Sequence, residues 1–167
     1  EWVYDAVKNS NVSAAVVATD HYDIYNLCRD KGINVTLTSD THVSGTDRVI
    51  EVSNKDEYKG YDIYVNIQGD EPMIESRNIN DLIDKMEFWS KYNYDSDLVG
   101  TLVAPFMAHE LQSRSCVKAW RKYSTSEIIM FTRSVVYNSS IFGPDLTRLK
   151  KHIGIYAFPA HILRNIS

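Results

Sequence analysis

The pattern of hydrophobic and polar positions changes repeatedly along the chain, from the spacing typical of a helix to runs typical of a strand. This change predicts helices and strands in turn. Apolar residues at three- and four-residue intervals indicate helices at 1–7, 21–31 and 76–89, with a shorter amphipathic helix after Arg48. Runs of β-branched and apolar residues predict strands at 14–18, 33–37, 63–67, 97–105, 117–120, 128–131 and 152–158. The succession of strands and helices predicts an α/β fold.

The first predicted strand, helix and strand form a βαβ unit. The uninterrupted apolar run at 14–18 is typical of a parallel strand covered on both faces, and Gly32 is placed to end the helix. The crossover should be right-handed. We therefore interpret 1–167 as one partial domain with a mixed, mostly parallel sheet flanked by helices.

Both ends of the pattern are abrupt. The first apolar helix has no strand before it, and the apolar pattern of 160–166 stops without a capping signal. We expect a first strand and a C-terminal segment to be missing from this sequence.

The strand at 63–67 stops in the polar cluster QGDEP. Ligands of open α/β sheets lie outside the carboxyl ends of the strands, where Gln68, Gly69 and Asp70 would be. An Asp carboxylate suits Mg²⁺, which takes its other ligands from water and phosphates. The alternative is an ordinary turn, because turns favour Asp and Pro.

The segment SGTDR precedes a short amphipathic helix. Ser44 and Gly45 offer a hydroxyl and backbone N–H groups at a helix N-terminus, and Arg48 adds a planar fork of donors. This arrangement suits an anion or the carbonyl groups of a base. The alternative is a loop with a simple Ser cap.

The last predicted strand is preceded by a polar segment. We interpret 138–151 as a surface loop and 117–131 as a hairpin at the sheet edge. Alternation then places His152, Gly154 and Tyr156 on one face of the last strand, which suits a substrate wall.

Composition excludes several classes of function. With 167 residues and a net charge of -4, the chain is not expected to have a general surface for nucleic acids or membranes, and a local basic pocket is the alternative that stays open. No apolar run approaches the length of a transmembrane helix. The cysteines, Cys28 and Cys116, show neither disulfide nor zinc spacing.

Several motifs together resemble one enzyme family. VATD at 17–20, SGTDR at 44–48, VNIQGDEPMI at 65–74, FTR at 131–133 and HIGIYAF at 152–158 are similar, in order and spacing, to the 3-deoxy-manno-octulosonate cytidylyltransferase family. The resemblance implies a Rossmann-like nucleotidyltransferase fold. It also implies an enzyme that uses CTP and Mg²⁺ to convert the sugar acid Kdo to CMP-Kdo and pyrophosphate. Lipopolysaccharide synthesis, a bacterial cytoplasmic location and a homodimer follow from the same resemblance.

The resemblance also implies roles for individual residues. Ser44, Gly45, Arg48 and Gln68 are expected to bind CTP, with Arg48 reading the cytosine. Asp70 is expected to be the catalytic residue that binds Mg²⁺. The second catalytic residue, Arg133, is expected to bind the sugar acid together with two residues of the last strand, His152 and Tyr156.

The chain departs from the family at both ends. The glycine-rich triphosphate loop and the segment with a second metal-binding Asp have no counterpart here, so we expect the isolated 167 residues to be inactive. Two alternatives remain open. One is a cytidylyltransferase for 8-amino-Kdo or a sialic-type acid, and the other is a non-catalytic nucleotide-binding relative.

Overall fold

A computed structural model of the chain describes residues 1–92, 97–134 and 147–166. The chain divides into two compact units. Unit 1 comprises Glu1–Gly100 and Ile155–Ser167, and unit 2 comprises Thr101–Gly154. The interpretation of 1–167 as one domain stays a prediction.

The described residues alternate between helices and strands, as the sequence pattern predicts. The helices are α1 (Trp2–Lys8), α2 (Tyr22–Asp30), α3 (Gly45–Asn54), α4 (Ser76–Tyr92) and α5 (Ala160–Asn165), with a 3₁₀ turn at Ala108–Glu110. The strands are β1 (Val17–Thr19), β2 (Val35–Leu37), β3 (Ile63–Ile67), β4 (Gly100–Ala104), β5 (Lys118–Arg121), β6 (Ile128–Thr132) and β7 (Leu149–Pro159). The predicted α/β class is confirmed.

Unit 1 contains the predicted βαβ unit. β1 and β2 pair in parallel, with Ala18 opposite Thr36, and α2 connects them. Gly32 follows α2 with φ of 66°, a left-handed conformation that side chains other than glycine adopt at a cost. The predicted role of Gly32 in ending this helix is therefore confirmed.

Fewer of the described strand pairs are parallel than the sequence pattern indicated, because β1 and β2 pair in parallel in a sheet of their own. In unit 1, β3 runs antiparallel to residues 155–159 of β7, with Val65 opposite Ala157. The prediction of a mostly parallel sheet is wrong for the pairings of β7. An apolar run shows that a strand is buried but not its direction, which depends on how the chain returns to the sheet.

In the part of the chain that the structure describes, β1 pairs with β2 along one edge and β3 pairs with β7 along one edge. Val17 N–H donates to Asn34 O at 2.9 Å, and Thr19 O accepts from Thr38 N–H at 2.9 Å, so the backbone groups of Ala18 point away from β2. Both strands line one cavity of about 1520 Å³ within unit 1. An extended segment in this cavity would find backbone donors and acceptors for pairing.

The core of unit 1 is built on the apolar face of α4. Ile79 is fully buried, and Leu82 and Met86 are 4% and 6% exposed. A Cβ at Gly100 would lie 2.6 Å from Met86 Sδ and 3.0 Å from Leu82 Cδ1. The start of β4 therefore approaches α4 closely because this position has no side chain.

Unit 2 contains the predicted hairpin. β5 and β6 pair antiparallel, with Ala119 opposite Phe131, and β5 also pairs antiparallel with the first residues of β7. The predicted surface loop at 138–151 is wrong at its end, because Leu149 is 3% exposed and pairs with Trp120 inside the sheet. Residues 138–146 of that loop lie outside the described residues.

The packing of α4 predicts unequal effects for two leucines of unit 1. Leu82→Ala should lower the free energy of unfolding by about 2–5 kcal/mol, because it removes buried apolar contacts and leaves a cavity. Leu27→Ala is the matched control: Leu27 is 55% exposed, so its loss should be less than about 1 kcal/mol. Urea denaturation followed by circular dichroism measures both, and equal losses would contradict the packing described.

Candidate functional site

The polar residues that follow β3 leave the strand in a tight turn. Glu71 N–H donates to the Gln68 carbonyl at 3.2 Å, which places Gly69 and Asp70 at the tip. Both tip residues are exposed, and a Cβ at Gly69 would meet no atom within 4 Å. The Asp70 side chain is therefore accessible at the carboxyl end of a strand.

The N-terminus of α3 is fixed by a capping box. Ser44 Oγ accepts from Asp47 N–H at 3.2 Å, and Ser44 N–H donates to Asp47 Oδ2 at 2.9 Å. Two orphan backbone donors are satisfied in this way. Gly45 and Thr46 contribute further N–H groups to the same first turn, where the helix dipole favours negative charge.

Gly45 brings this turn against the end of β3. A Cβ at Gly45 would lie 3.0 Å from Gln68 Nε2 and 3.3 Å from Asn66 Nδ2. Gln68 Nε2 in turn donates to Asn66 Oδ1 at 3.3 Å. The two carboxamides therefore lie beside the first turn of α3, and any side chain larger than hydrogen at Gly45 would displace them.

Arg48 is held by residues that follow β1 and β2. Its Nη1 donates to Thr38 Oγ1 at 2.7 Å and to Ser39 O at 3.1 Å, and its Nη2 donates to Asp20 Oδ2. The hydrogen bond from Arg48 holds the pKa of the Asp20 carboxyl below its ordinary value. The Arg48 side chain is 22% exposed, so the fixed guanidinium still reaches the surface.

A second network holds the loop between β2 and α3. Glu51 Oε2 accepts from Ser39 N–H at 2.8 Å and lies 2.6 Å from His42 Nε2, while its Oε1 lies 3.3 Å from Lys55 Nζ. Burial alone would raise the pKa of Glu51, but these three neighbours outweigh it and lower the pKa. The loop that ends in Ser44 is thus tied to α3 by one carboxylate.

The residues expected to bind CTP lie together in unit 1. Ser44, Gly45, Arg48 and Gln68 all line the cavity of about 1520 Å³, beside β1 and β3. Their roles toward a nucleotide stay predictions. The geometry shows that Gly45 and Arg48 of SGTDR line the same cavity as Gln68 and Gly69 of QGD, although the two motifs are separated along the chain.

Arg133 and His152 belong to unit 2. Arg133 is exposed at the end of β6, and its Nη1 donates to Arg114 O at 3.3 Å and Ser115 O at 3.0 Å. His152 Nε2 lies 2.9 Å from Thr101 Oγ1, and the His152 ring packs edge-on against Phe131 at 4.9 Å. His152 N–H also donates to Val117 O at 2.9 Å, so both residues are anchored to the segment before β5.

Tyr156 belongs to unit 1, in the second half of β7. It pairs with Asn66 of β3, so its backbone lies next to the strand that carries Gln68. Burial raises the pKa of the Tyr156 hydroxyl above its ordinary value. Its predicted contact with the sugar acid stays a prediction.

Sequence reasoning missed the residues that hold the site in place. Asn66 carried one signal, because it is the polar member of the apolar strand IYVNI and is 9% exposed. Asp20 ends the motif VATD, but nothing in the sequence pairs it with Arg48. The partners of Glu51 carried no signal, because hydrogen bonds between separate loops follow no sequence period.

Two kinds of feature are absent from the described parts of the chain. Among residues 1–92, 97–134 and 147–166, no group of three or more His, Cys, Asp or Glu side chains is arranged to hold a metal ion. Over the same residues, no helix combines the length and the apolar character needed to cross a lipid bilayer.

Comparison with known proteins gives consistent matches. The sequence profile of the cytidylyltransferase family matches residues 1–166. A 3-deoxy-manno-octulosonate cytidylyltransferase of Koribacter versatilis is 36% identical over 93% of this chain, and one of Fusobacterium nucleatum is 36% identical over 95%. The chain spans 56% and 61% of the lengths of these two relatives.

A solved structure has the same fold. It is CMP:2-keto-3-deoxy-manno-octonic acid synthetase in complex with CTP, which is 32% identical to this chain with a TM-score of 0.81. The match covers 99% of this chain and 64% of the solved chain. The Rossmann-like nucleotidyltransferase fold expected from the motifs is therefore confirmed.

The Glu51 network predicts a pH-dependent stability. Because the folded-state pKa of Glu51 is lowered, its contribution is present above the ordinary carboxyl value of 4.5 and is lost as pH falls through the lowered pKa. Glu51→Gln should cost about 1–3 kcal/mol at pH 7. It should also flatten the decline in stability below about pH 4.5.

Thermal unfolding between pH 2 and 8 measures this effect. Glu57→Gln is the matched control, because Glu57 is an exposed carboxylate that follows the same helix. An acid decline that is as steep in Glu51→Gln as in the unmodified protein would show that Glu51 does not stabilise the fold.

Proposed function

Because this chain belongs to the cytidylyltransferase family, we propose that its protein transfers a cytidylyl group from CTP to the sugar acid Kdo. The products are CMP-Kdo, an activated sugar for lipopolysaccharide synthesis, and pyrophosphate. The observation that carries the proposal is that Gly45 and Arg48 of SGTDR line one cavity in unit 1 together with Gln68 and Gly69 of QGD. Two relatives that are each 36% identical to this chain are named 3-deoxy-manno-octulosonate cytidylyltransferase.

The cytidine would be read by groups whose orientation is already fixed. A guanidinium has five N–H donors, and Arg48 directs three of them to described residues, namely Asp20, Thr38 and Ser39. The remaining two match the carbonyl and ring-nitrogen acceptors of cytosine. Ser44, Gly45 and Gln68 would contact the same nucleotide from the adjoining wall.

The sugar acid is assigned to three residues. Arg133 suits the carboxylate of Kdo, because a guanidinium pairs with a carboxylate through two parallel hydrogen bonds. His152 and Tyr156 would bind its hydroxyl groups. Arg133 also acts as a catalytic residue in this proposal, since it positions the acid for attack.

Asp70 is the residue assigned to Mg²⁺. Its exposed carboxylate at the tip of the turn after β3 fits an ion that prefers one or two protein carboxylates and keeps water and phosphate oxygens. When bound, the ion would neutralise charge that develops on the phosphates. The chain itself supplies the carboxylate and the adjacent Gly69, which leaves open space beside it.

The reaction requires positioning more than covalent help from the protein. A sugar hydroxyl oxygen forms a bond to the α-phosphorus of CTP in line with the departing pyrophosphate, whose P–O bond breaks. The hydroxyl proton passes to solvent water in the same step. No described residue is assigned as its general base.

The proposal also includes a homodimer in the bacterial cytoplasm, as in the family it resembles.

The proposal predicts sugar-dependent turnover of CTP. The protein as its gene encodes it should release pyrophosphate from CTP in the presence of Kdo, with kcat/KM at least about tenfold higher than with 8-amino-Kdo or N-acetylneuraminate. Coupled pyrophosphate detection measures the initial rates.

Each outcome of this assay has a distinct meaning. A higher kcat/KM with another sugar acid would retain the cytidylyltransferase and replace Kdo as its substrate. Binding of CTP without turnover of any of the three acids would support the non-catalytic relative and contradict the enzyme.

The assignment of Asp70 predicts a metal-dependent defect. Asp70→Asn should lower kcat/KM by about a hundredfold or more. The substitution weakens the binding of an ion that stabilises the transition state by several kcal/mol. Part of the activity should return at high Mg²⁺ concentration. Asp81→Asn is the control, because Asp81 is exposed on α4. Equal activity of the two variants would exclude Asp70 as the metal ligand.

A further inference from the structure

Unit 2 contains a buried cation that the proposed reaction does not use. Lys118, the first residue of β5, is 1% exposed. Its Nζ donates to Ser113 O at 2.5 Å, to Cys116 O at 3.1 Å and to Arg133 O at 3.4 Å. Three carbonyl acceptors match the three N–H donors of an ammonium group, which is how a buried charge becomes tolerable.

The same loop also binds the side chain of Arg133. Arg133 Nη1 donates to the carbonyls of Arg114 and Ser115, which lie between the two loop carbonyls that Lys118 binds. Four consecutive carbonyl groups, those of residues 113–116, thus turn toward two cations. The loop is ordered around Lys118 and Arg133 together.

Lys118 reaches Arg133 by two routes. It binds the main-chain carbonyl of Arg133 directly, and it fixes the loop whose carbonyls orient the Arg133 guanidinium. Arg133 directs two of its five N–H donors to described carbonyls, both through Nη1. The orientation of the others therefore depends on the loop that Lys118 holds.

The segment that follows this loop also holds His152. The carbonyl of Val117, directly before Lys118, accepts the backbone N–H of His152 at 2.9 Å. Lys118 itself lies opposite Lys151 in the pairing of β5 with β7. Displacement of the loop would therefore reach both unit 2 residues assigned to the sugar acid.

We propose that Lys118 is a positioning residue for the sugar acid: its ammonium group orders the loop at 113–116 and so orients the Arg133 guanidinium toward the carboxylate. This inference rests on the proposed function. Lys118 does not touch the substrate, because its three donors are occupied by carbonyls of the protein.

Steady-state kinetics of Lys118→Met test the inference in the protein as its gene encodes it. Methionine retains the unbranched shape of the lysine side chain but has no N–H donors, so three carbonyls lose the hydrogen bonds that Lys118 Nζ donates. KM for Kdo should rise about tenfold, which is the size of effect seen when a residue that orients a ligand-binding side chain is removed. KM for CTP should stay within about twofold of its original value. A purely structural role would lower the melting temperature without this selective change.

The matched control is Lys122→Met. Lys122 lies directly after β5, is 54% exposed and pairs with Glu127, so its loss should leave both KM values unchanged. A double-mutant cycle with Arg133→Lys adds a second readout. If Lys118 acts through Arg133, the two effects on KM for Kdo should not add.

The remaining outcomes also decide the matter. If Lys118→Met does not fold, Lys118→Gln replaces it, because its amide keeps two N–H donors for the carbonyls. Unchanged KM for Kdo in a folded variant, additive effects in the cycle, or failure of both variants to fold would each overturn the positioning role. If the unmodified protein turns over no sugar acid, the proposed function fails instead.

Discussion

The ion pair between Arg48 and Asp20 is the contact on which the arrangement of the candidate site depends. Asp20 follows β1, and Thr38 and Ser39 follow β2. Arg48 lies in the first turns of α3, so its guanidinium joins the carboxyl ends of two strands to the N-terminus of one helix. Because the guanidinium is planar and its donors are fixed, these three elements can meet in few ways. The position of α3 relative to the parallel strands follows from this constraint.

The site is held in place by local hydrogen bonds and close contacts rather than by a large core. The capping box sets where α3 begins, Glu51 holds the loop before it, and Gly45 allows that turn to approach Asn66 and Gln68. Unit 2 uses a different device, in which two cations order a loop through its carbonyls. In both units, charged groups that would be costly to bury are satisfied by several hydrogen bonds each, which fixes the side chains in one orientation.

The sequence pattern was most informative where one element carried its own signal. The helical spacing of 76–89 predicted α4, the run AAVVA predicted a strand in parallel pairing, and Gly32 predicted the end of α2, because each signal comes from neighbouring residues on one element. It was least informative about strand direction. The antiparallel pairing of β7 with β3 depends on a return of the chain through unit 2, and no period in the sequence records it.

The sequence by itself determined the α/β class, the order of elements and, through its motifs, the family, and it predicted which residues bear the chemistry. Only the tertiary structure decided what holds those residues. Asp20 with Arg48, Glu51 with His42, and Lys118 with the carbonyl of Arg133 are contacts between separate segments. The physical reason is that a hydrogen bond requires proximity and direction in space, whereas helix and strand periods report only which face of one element is buried.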